Sequence, residues 1–250
     1  MDLVTTAVAA ALGIGTLLIG AGIAIRWDVP RRGVAGIMAF GAGVMVATLA
    51  LELVVEARDA GGVMPVVVGF AGGAILYVAG DRLVARQSAR HRSDSRNISA
   101  RRGGDAEEGG GAFAVGALLD GIPEAIVIGL SVALSGQFPL AVVAAIGLSN
   151  IPEGLGGSVA MKRGGKSARS ILGLWAGITA TTVVAAVLGV VFLADAPQAV
   201  LAVVVSIAAG ALLAMVCNAM IPEAFEDDHW ATGLIATAGF LVAFVMNELT

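Results

Sequence analysis

The sequence predicts an all-α polytopic membrane protein, and three observations support this fold class: composition, run length and the absence of alternation. Of the 250 residues, 58% are hydrophobic and only 14% are charged, and the mean hydropathy is +0.91. Soluble domains usually carry about 25% charged residues. The apolar runs are long and do not alternate, which argues against a transmembrane β-barrel. The single Cys217 excludes a disulfide scaffold and a cysteine-based metal cluster.

Eight apolar runs have the length of roughly 20 residues that a helix needs to cross a bilayer. The predicted spans are residues 3–25, 34–57, 62–80, 112–135, 138–161, 170–194, 198–221 and 230–249. The first run is too long and too weakly basic at its start for a cleaved signal peptide, so it is counted as a span. We therefore expect a single transmembrane domain over residues 1–250 with both termini on the same side.

The distribution of basic residues predicts the orientation of these spans. Fourteen of the 15 lysines and arginines fall in the connections after spans one, three and five, and only Arg58 lies on the other side. Cytoplasmic connections carry such an excess, so both termini are predicted outside. The longest connection, residues 81–111, is rich in Arg, Ser, Gly and Asp, and we expect a disordered cytoplasmic loop there. Residue usage is typical of a prokaryote, which indicates a multi-pass protein of the cell (inner) membrane.

Small residues in two of the spans predict close helix packing. Gly69 and Gly73 form one small-x-x-x-small pair, and Gly173 and Gly177 form another. Such pairs allow a neighbouring helix to approach closely, and we assign them no chemistry.

The tripeptide Ile-Pro-Glu occurs three times, each time within or at the end of a predicted span. A carboxylate in hydrocarbon is costly, and proline removes a backbone hydrogen bond as well. Three copies of this costly combination indicate a polar path through the membrane. The copies are Ile122-Pro123-Glu124, Ile151-Pro152-Glu153 and Ile221-Pro222-Glu223.

Spans four and five are joined by a short link, so they form an antiparallel hairpin with polar residues at matching depth. Asp120 and Glu124 are four apart and share one helix face, and Ser149 and Asn150 precede Glu153 by four and three residues. Three carboxylates at mid-membrane cannot all stay ionised without cations. They must bind metal, bind protons, or exchange one for the other.

Further acids lie toward the two ends of this path. Glu52 and Glu56, near the outer end of span two, could form an outer mouth that Met45 could also reach, although solvated interfacial acids are an equal alternative. Glu223 falls at the inner end of span seven, where an acidic inner mouth could collect leaving cations. A plain solvated turn explains the other residues of that segment nearly as well; they are Glu226, Asp227, Asp228 and His229.

Three segments of the chain resemble the signatures of the ZIP (Zrt-/Irt-like protein) family of metal transporters. They are Asp120-Gly-Ile-Pro-Glu124, Asn150-Ile-Pro-Glu-Gly154 and Met220-Ile-Pro-Glu-Ala224. The resemblance implies a ZIP-like bundle of eight helices that moves divalent zinc, iron or manganese toward the cytoplasm. The metal ion would be a substrate and no cofactor would be tightly bound. A homodimer in the lipid bilayer is also implied.

By the same resemblance, Glu124 and Glu153 match the carboxylates that bridge a binuclear metal centre. Asp120 stands where most members have histidine, Gly121 where they commonly have asparagine, and Ser149 where they have histidine or glutamine. The resulting ligand set, with Asn150, would be nearly all oxygen. Oxygen ligands suit manganese, ferrous iron or magnesium better than zinc.

Transport of divalent cations by alternating access is therefore the leading hypothesis. A proton or cation channel on a ZIP-like scaffold with a degraded metal site is the alternative. An intramembrane protease is disfavoured because Asp81 has no partner motif and the spans contain no paired Ser and His. We expect neither an enzyme nor a nucleic-acid partner.

Overall fold

The structure is a computed structural model that describes residues 3–99, 121–132, 138–193, 196–225 and 230–249. These residues are helical apart from short turns. The helices are α1 (Leu3–Arg26), α2 (Arg31–Gly61), α3 (Val63–Ser99), α4 (Gly121–Val132), α5 (Leu140–Arg163), α6 (Ala168–Leu193), α7 (Gln198–Ala224) and α8 (Thr232–Leu249).

The helices agree with a multi-pass membrane protein. Seven of them are long and apolar enough to cross a membrane, and α4 is a shorter apolar helix at the place of the fourth predicted span. This confirms the prediction of an all-helical protein with several apolar, membrane-length helices. The eight-span count, the orientation and the ZIP-like arrangement stay predictions.

The third helix differs from the prediction because it does not end with the apolar run. It continues to Ser99, whereas a disordered loop was expected over residues 81–111. Residues 81–99 contain neither glycine nor proline and are rich in arginine, which favours helix. The expectation of disorder is therefore wrong for residues 81–99, and the rest of that segment lies outside the described residues.

The helices divide into central and peripheral ones. In the apolar windows of α2, α5 and α7, 67% of the residues are buried, against 17–22% in α3, α6 and α8. The peripheral helices present large apolar side chains outward, as helices that contact lipid do. Among these exposed side chains are Val68, Ile75, Leu76, Leu188, Phe192, Leu234 and Leu241.

The first helix group consists of α1, α4, α5 and α6. A Cβ atom at Gly20 of α1 would overlap the backbone of Ile151 in α5, so these two helices touch main chain to main chain. The described part of α4 packs on α6 through Gly121 and Gly129. A buried hydrogen bond of 2.7 Å, from Trp175 Nε1 to Ser158 Oγ, joins α6 to α5. Small residues thus allow this group to pack closely without polar side chains in most contacts.

The second helix group consists of α2, α3, α7 and α8. Gly43 of α2 lies against the backbone of Ala236 in α8, and Gly73 of α3 lies against the backbone of Ile207 in α7. Helix α2 also packs along α7, so the four helices are connected in the order α8, α2, α7, α3. Gly69 contacts α7 as well, which confirms the close approach predicted for the Gly69 and Gly73 pair.

The two groups meet mainly where α2 packs against α5. At this seam a Cβ atom at Gly41 would lie 2.9 Å from Cγ of Pro152 and 3.0 Å from Cε of Met220. The contact is therefore made by side chains rather than by two backbones.

The second predicted glycine pair has a different environment. A Cβ atom at Gly173 or Gly177 would meet no atom of the described residues within 4 Å. Because α6 is peripheral, this pair faces outward. Within the described part of the chain, no helix makes the close approach predicted at Gly173 and Gly177.

A lysine ties α1 to α5 at the end of the bundle that carries Arg26 and Arg163. We call this end the inner end, after the orientation that the basic residues predict, and the opposite end the outer end. Lys162 Nζ donates to the carbonyl of Ala24 at 3.1 Å and forms an ion pair with Asp28 at 2.8 Å. The hydrogen bond and the charge of Lys162 hold the pKa of Asp28 below its ordinary value. The last turn of α1 is thereby capped by a cation, which suits the helix dipole.

Candidate functional site

A buried carboxylate and a buried amide meet between α4 and α5. Asn150 Nδ2 donates to Glu124 Oε2 at 2.9 Å, and each residue is only 1% exposed. The structure thus brings together the polar residues of the first two Ile-Pro-Glu segments, as expected for a hairpin with matching depths. Ser149, also buried, directs its hydroxyl to the carbonyl of Ile146 at 2.9 Å.

The amide of Asn150 can act either as a donor or as a ligand. In the structure its Nδ2 donates to the carboxylate of Glu124. An Asn side chain also carries an acceptor oxygen, and a rotation of the amide presents this oxygen instead. The Asn150 amide can therefore donate a hydrogen bond to Glu124 in one orientation and offer its oxygen to a cation in the other.

Glu153 lies one helical turn further inward along α5. It is half-buried and follows Pro152, whose ring contacts Gly41 of α2 at the seam. Proline has no N–H group, so the carbonyl of Leu148 lacks its usual helical donor and can serve as a ligand or bind water. Carboxylate and proline thus lie at the junction of the two helix groups.

The carboxylate of Glu223 approaches α5 from α7. A Cβ atom at Gly156 would lie 2.9 Å from Glu223 Oε1, so only a glycine lets the carboxylate lie directly against the helix. Gly156 follows Glu153 by three residues, which places both on one side of α5. Asn150, Glu153 and the carboxylate of Glu223 thus follow one another along α5 toward the inner end.

At the outer end the two acids of α2 have different surroundings. Ser131 Oγ of α4 donates to Glu56 Oε2 at a long 3.5 Å, which links the two helix groups. Glu52 instead lines a small cleft between α2, α5 and α8. Met45 is buried in the main core and is not among the residues that line this cleft. A π-helical turn over Leu49–Leu53 contains Glu52 and changes the direction of the side chains around it.

Several predicted site residues lie outside the described part of the chain. They are Asp120, Glu226, Asp227, Asp228 and His229. Within the described residues, no group of three or more His, Cys, Asp or Glu side chains lies close enough to hold a metal ion. The donors that meet in the described interior are one carboxylate and one amide, with Glu153 and Glu223 further inward.

Sequence reasoning did not single out four positions that the structure connects to these acids. Ser131 lies seven residues after Glu124 on the same helix face, so helical periodicity could have indicated it. Gly156 could have been found by the same spacing from Glu153. Met246 and Asn247, which line the outer cleft, carry no signal in the sequence beyond polarity near a helix end.

Comparison with models of known protein families gives no match, and comparison with curated proteins gives none either. The class that the fold defines is thus a multi-pass helical membrane protein, and its activity has to be argued from the site.

Proposed function

We propose that this protein carries divalent metal cations of the zinc, iron or manganese class across the membrane toward the cytoplasm, by alternating access. The observation that supports this proposal most directly is the buried contact between Glu124 and Asn150, each part of or adjacent to an Ile-Pro-Glu segment. The resemblance of these segments to ZIP signatures points to the same activity.

A carboxylate in the interior of a membrane protein needs compensation for lost water. Glu124 is 1% exposed, and the amide of Asn150 supplies one hydrogen bond to it. Burying an ionised carboxylate otherwise costs several kcal/mol, so a cation or a proton stabilises the site. Carboxylate and amide oxygens are ligands for a divalent ion, and no enzymatic reaction is required to explain their placement.

The polar groups along α5 provide successive positions for a moving ion. Asn150, Glu153 and the carboxylate resting on Gly156 follow one another at intervals of three residues, which is about 4.5 Å of helix rise. An ion leaving Glu124 therefore meets an oxygen ligand at each step toward Glu223 and the inner end. Asp120 would complete the first position, and the acidic segment after Glu223 would receive the ion.

Alternating access requires that two parts of the protein move relative to each other. The seam between α2 and α5 lies beside Glu153 and is built from side-chain contacts such as Pro152 on Gly41. Each helix group would move as a unit, because α1 with α5, α2 with α8 and α3 with α7 touch backbone to backbone. Motion at the seam exposes the site to one side at a time.

The ligand set favours hard and borderline cations. Glu124, Glu153, Ser149 and Asn150 offer only oxygen, and both histidines of the usual signature are absent. Manganese, ferrous iron and magnesium are suited to such donors better than zinc.

Initial uptake by purified protein in liposomes tests the proposal. Glu124→Gln keeps the size of the side chain and removes its charge, and Glu248→Gln at the exposed end of α8 is the matched control. We expect saturable uptake of Mn²⁺ or Fe²⁺ by the wild type and the control, and none by Glu124→Gln. Normal uptake by a folded Glu124→Gln variant would overturn the proposal.

A proton channel or proton transporter is the second candidate, because the described interior holds no cluster of three metal-ligating side chains. A single buried carboxylate with one amide partner binds a proton readily. Proton flux through the same liposomes, without any metal and without saturation, would support this candidate. Metal uptake that saturates would exclude it as the main activity.

A further inference from the structure

A small cleft opens at the outer end of the bundle, where α2, α5 and α8 meet. Its polar lining consists of Thr48 and Glu52 from α2 and of Met246 and Asn247 from α8. The remaining lining residues are four alanines and one leucine. Short side chains on the walls leave the space in front of the polar groups unfilled. The cleft is thus a concave, mostly apolar surface lined by a few groups that can bind a ligand, which is a common form of a binding site.

The four polar side chains offer different kinds of donor atom to one ligand. Glu52 supplies a carboxylate and Asn247 an amide oxygen. Thr48 donates its proton to the carbonyl of Val44 at 3.1 Å, so its oxygen can still accept or coordinate. Met246 adds a thioether sulfur. A single anionic group surrounded by neutral donors suits a cation, and sulfur favours softer divalent ions over magnesium or calcium.

The cleft lies on the seam between the two helix groups. Its polar groups belong to α2 and α8 in the second group, and Ala141 and Ala145 of α5 in the first group form the facing wall. An ion held there contacts one group and faces the other. Relative motion of the groups therefore changes the width of the cleft.

An apolar cluster borders the cleft on its inner side. Ala47, Ala145 and Ala243 line the cleft and also belong to this cluster, against which Phe40, Leu148 and Phe240 pack. Along α5 the order is Ala145 at the cleft, Leu148 in the cluster and then Ser149 and Asn150. Asn150 lies five residues further inward than Ala145 and on another side of α5, where it contacts Glu124 of α4.

We infer that the cleft is an outer loading site for a divalent cation, with Glu52 as the charged ligand and Met246 and Asn247 completing its coordination. The inference rests on the proposed function, since it gives the first binding position on the same path. It assigns Met246 the role of selecting ions that accept sulfur. It also separates Glu52 from Glu56, which contacts Ser131 instead.

Calorimetric titration with CdCl₂ in detergent tests this site apart from transport. The Glu124→Gln variant provides the background, because it removes the inner carboxylate and leaves the cleft intact. We expect Cd²⁺ binding to remain in this background and to be lost when Glu52→Gln is added. Met246→Leu, which keeps the side-chain volume, should weaken Cd²⁺ binding about tenfold and leave Mn²⁺ binding nearly unchanged.

Two further variants keep the test independent of folding defects. Met64→Leu on α3, where the side chain is 70% exposed, is the matched control and should bind Cd²⁺ like the parent. Asn247→Asp adds a carboxylate and should tighten Cd²⁺ binding, a gain that misfolding cannot produce. No Cd²⁺ binding in the Glu124→Gln background, from protein whose wild type transports metal, would overturn the outer site and leave the proposed function standing. Binding that needs Glu52, in a protein that transports no metal, would support the site and contradict the transport proposal.

Discussion

The two faces of α5 make different kinds of contact. Toward α1, Gly20 lies on the backbone of Ile151, so the main chains of the two helices touch. Toward α2, the ring of Pro152 rests on Gly41, so one of the two partners is a side chain. Two helices whose backbones touch can pack in only one relative position, whereas the ring of Pro152 can slide over Gly41 without a clash. From this difference we expect α5 to stay fixed to α1 and to move more easily past α2.

The largest expected effect comes from disturbing the fixed face. Gly20→Ala places a Cβ atom into the backbone of Ile151, and overpacking of this kind costs about 1–3 kcal/mol of unfolding free energy. Denaturant unfolding in detergent measures this loss of unfolding free energy. Gly22→Ala in the same helix is the control, because a Cβ atom there meets no described atom within 4 Å, and its stability should not fall. Equal losses in the two variants would contradict the assignment of α1 and α5 to one rigid group.

The next effect concerns the carboxylate that leans on α5. Gly156→Ala brings a methyl group to 2.9 Å from Glu223 Oε1 and displaces it, so metal uptake should fall about tenfold. In a Glu223→Ala background the same substitution has nothing to displace and should cause little further loss. Gly173→Ala, which faces outward, is the control. Additive losses in the double variant would show that Gly156 acts independently of Glu223.

A substitution at the face of α5 toward α2 should change the rate of metal uptake more than the stability of the protein. Gly41→Ala meets only the side chains of Pro152 and Met220, at 2.9 and 3.0 Å, and the methionine can yield. We expect Gly41→Ala to lose less stability than Gly20→Ala. Uptake should slow about threefold, which corresponds to a rise in activation free energy of less than about 1 kcal/mol. Because both variants add one methyl group, the difference between them reports whether that group meets a backbone or a side chain. A larger loss of stability at Gly41 than at Gly20 would reverse the comparison.

The smallest effect is expected at the inner end. Lys162→Met removes the ion pair with Asp28 and should lower the melting temperature only slightly, since exposed ion pairs contribute little. The pKa of Asp28 is lowered in the folded state, so the pair stabilises the protein fully above the usual pKa of 3.8. This contribution disappears as the pH falls through the lowered pKa. The difference between the variant and the wild type should therefore shrink in strong acid and stay constant near neutral pH.

Much of the fold could be predicted because run length and helix-ending residues act locally. Pro30 and Pro197 immediately precede α2 and α7, and the helices other than α3 and α4 match the predicted spans within a few residues. The contact between Glu124 and Asn150 followed from the short link between two spans. Both predictions depend only on the number of residues between features, which can be counted in the sequence.

Other features depend on how helices rotate against one another, which sequence spacing does not determine. The approach of Glu223 to Gly156 joins residues of α7 and α5, and the outer cleft joins α2, α5 and α8. Periodicity shows which residues share a face but not which face a distant helix meets. The outward direction of Gly173 was missed for the same reason. In α3 the error was local, because polar composition was taken to mean disorder where no residue interrupts the helix.

The outer cleft and the residues around Glu124 offer different donor atoms, and this difference affects how ion selectivity is measured. The outer cleft contains a sulfur atom, whereas the ligands around Glu124 are oxygen. If both positions bind the ion as proposed, the hardest ions bind poorly at the outer cleft and the softest bind poorly at Glu124, so ions of intermediate softness pass best. Borderline ions such as ferrous iron belong to this group. The order of transport rates should therefore differ from the order of affinities at either position alone, and neither titration by itself identifies the cargo.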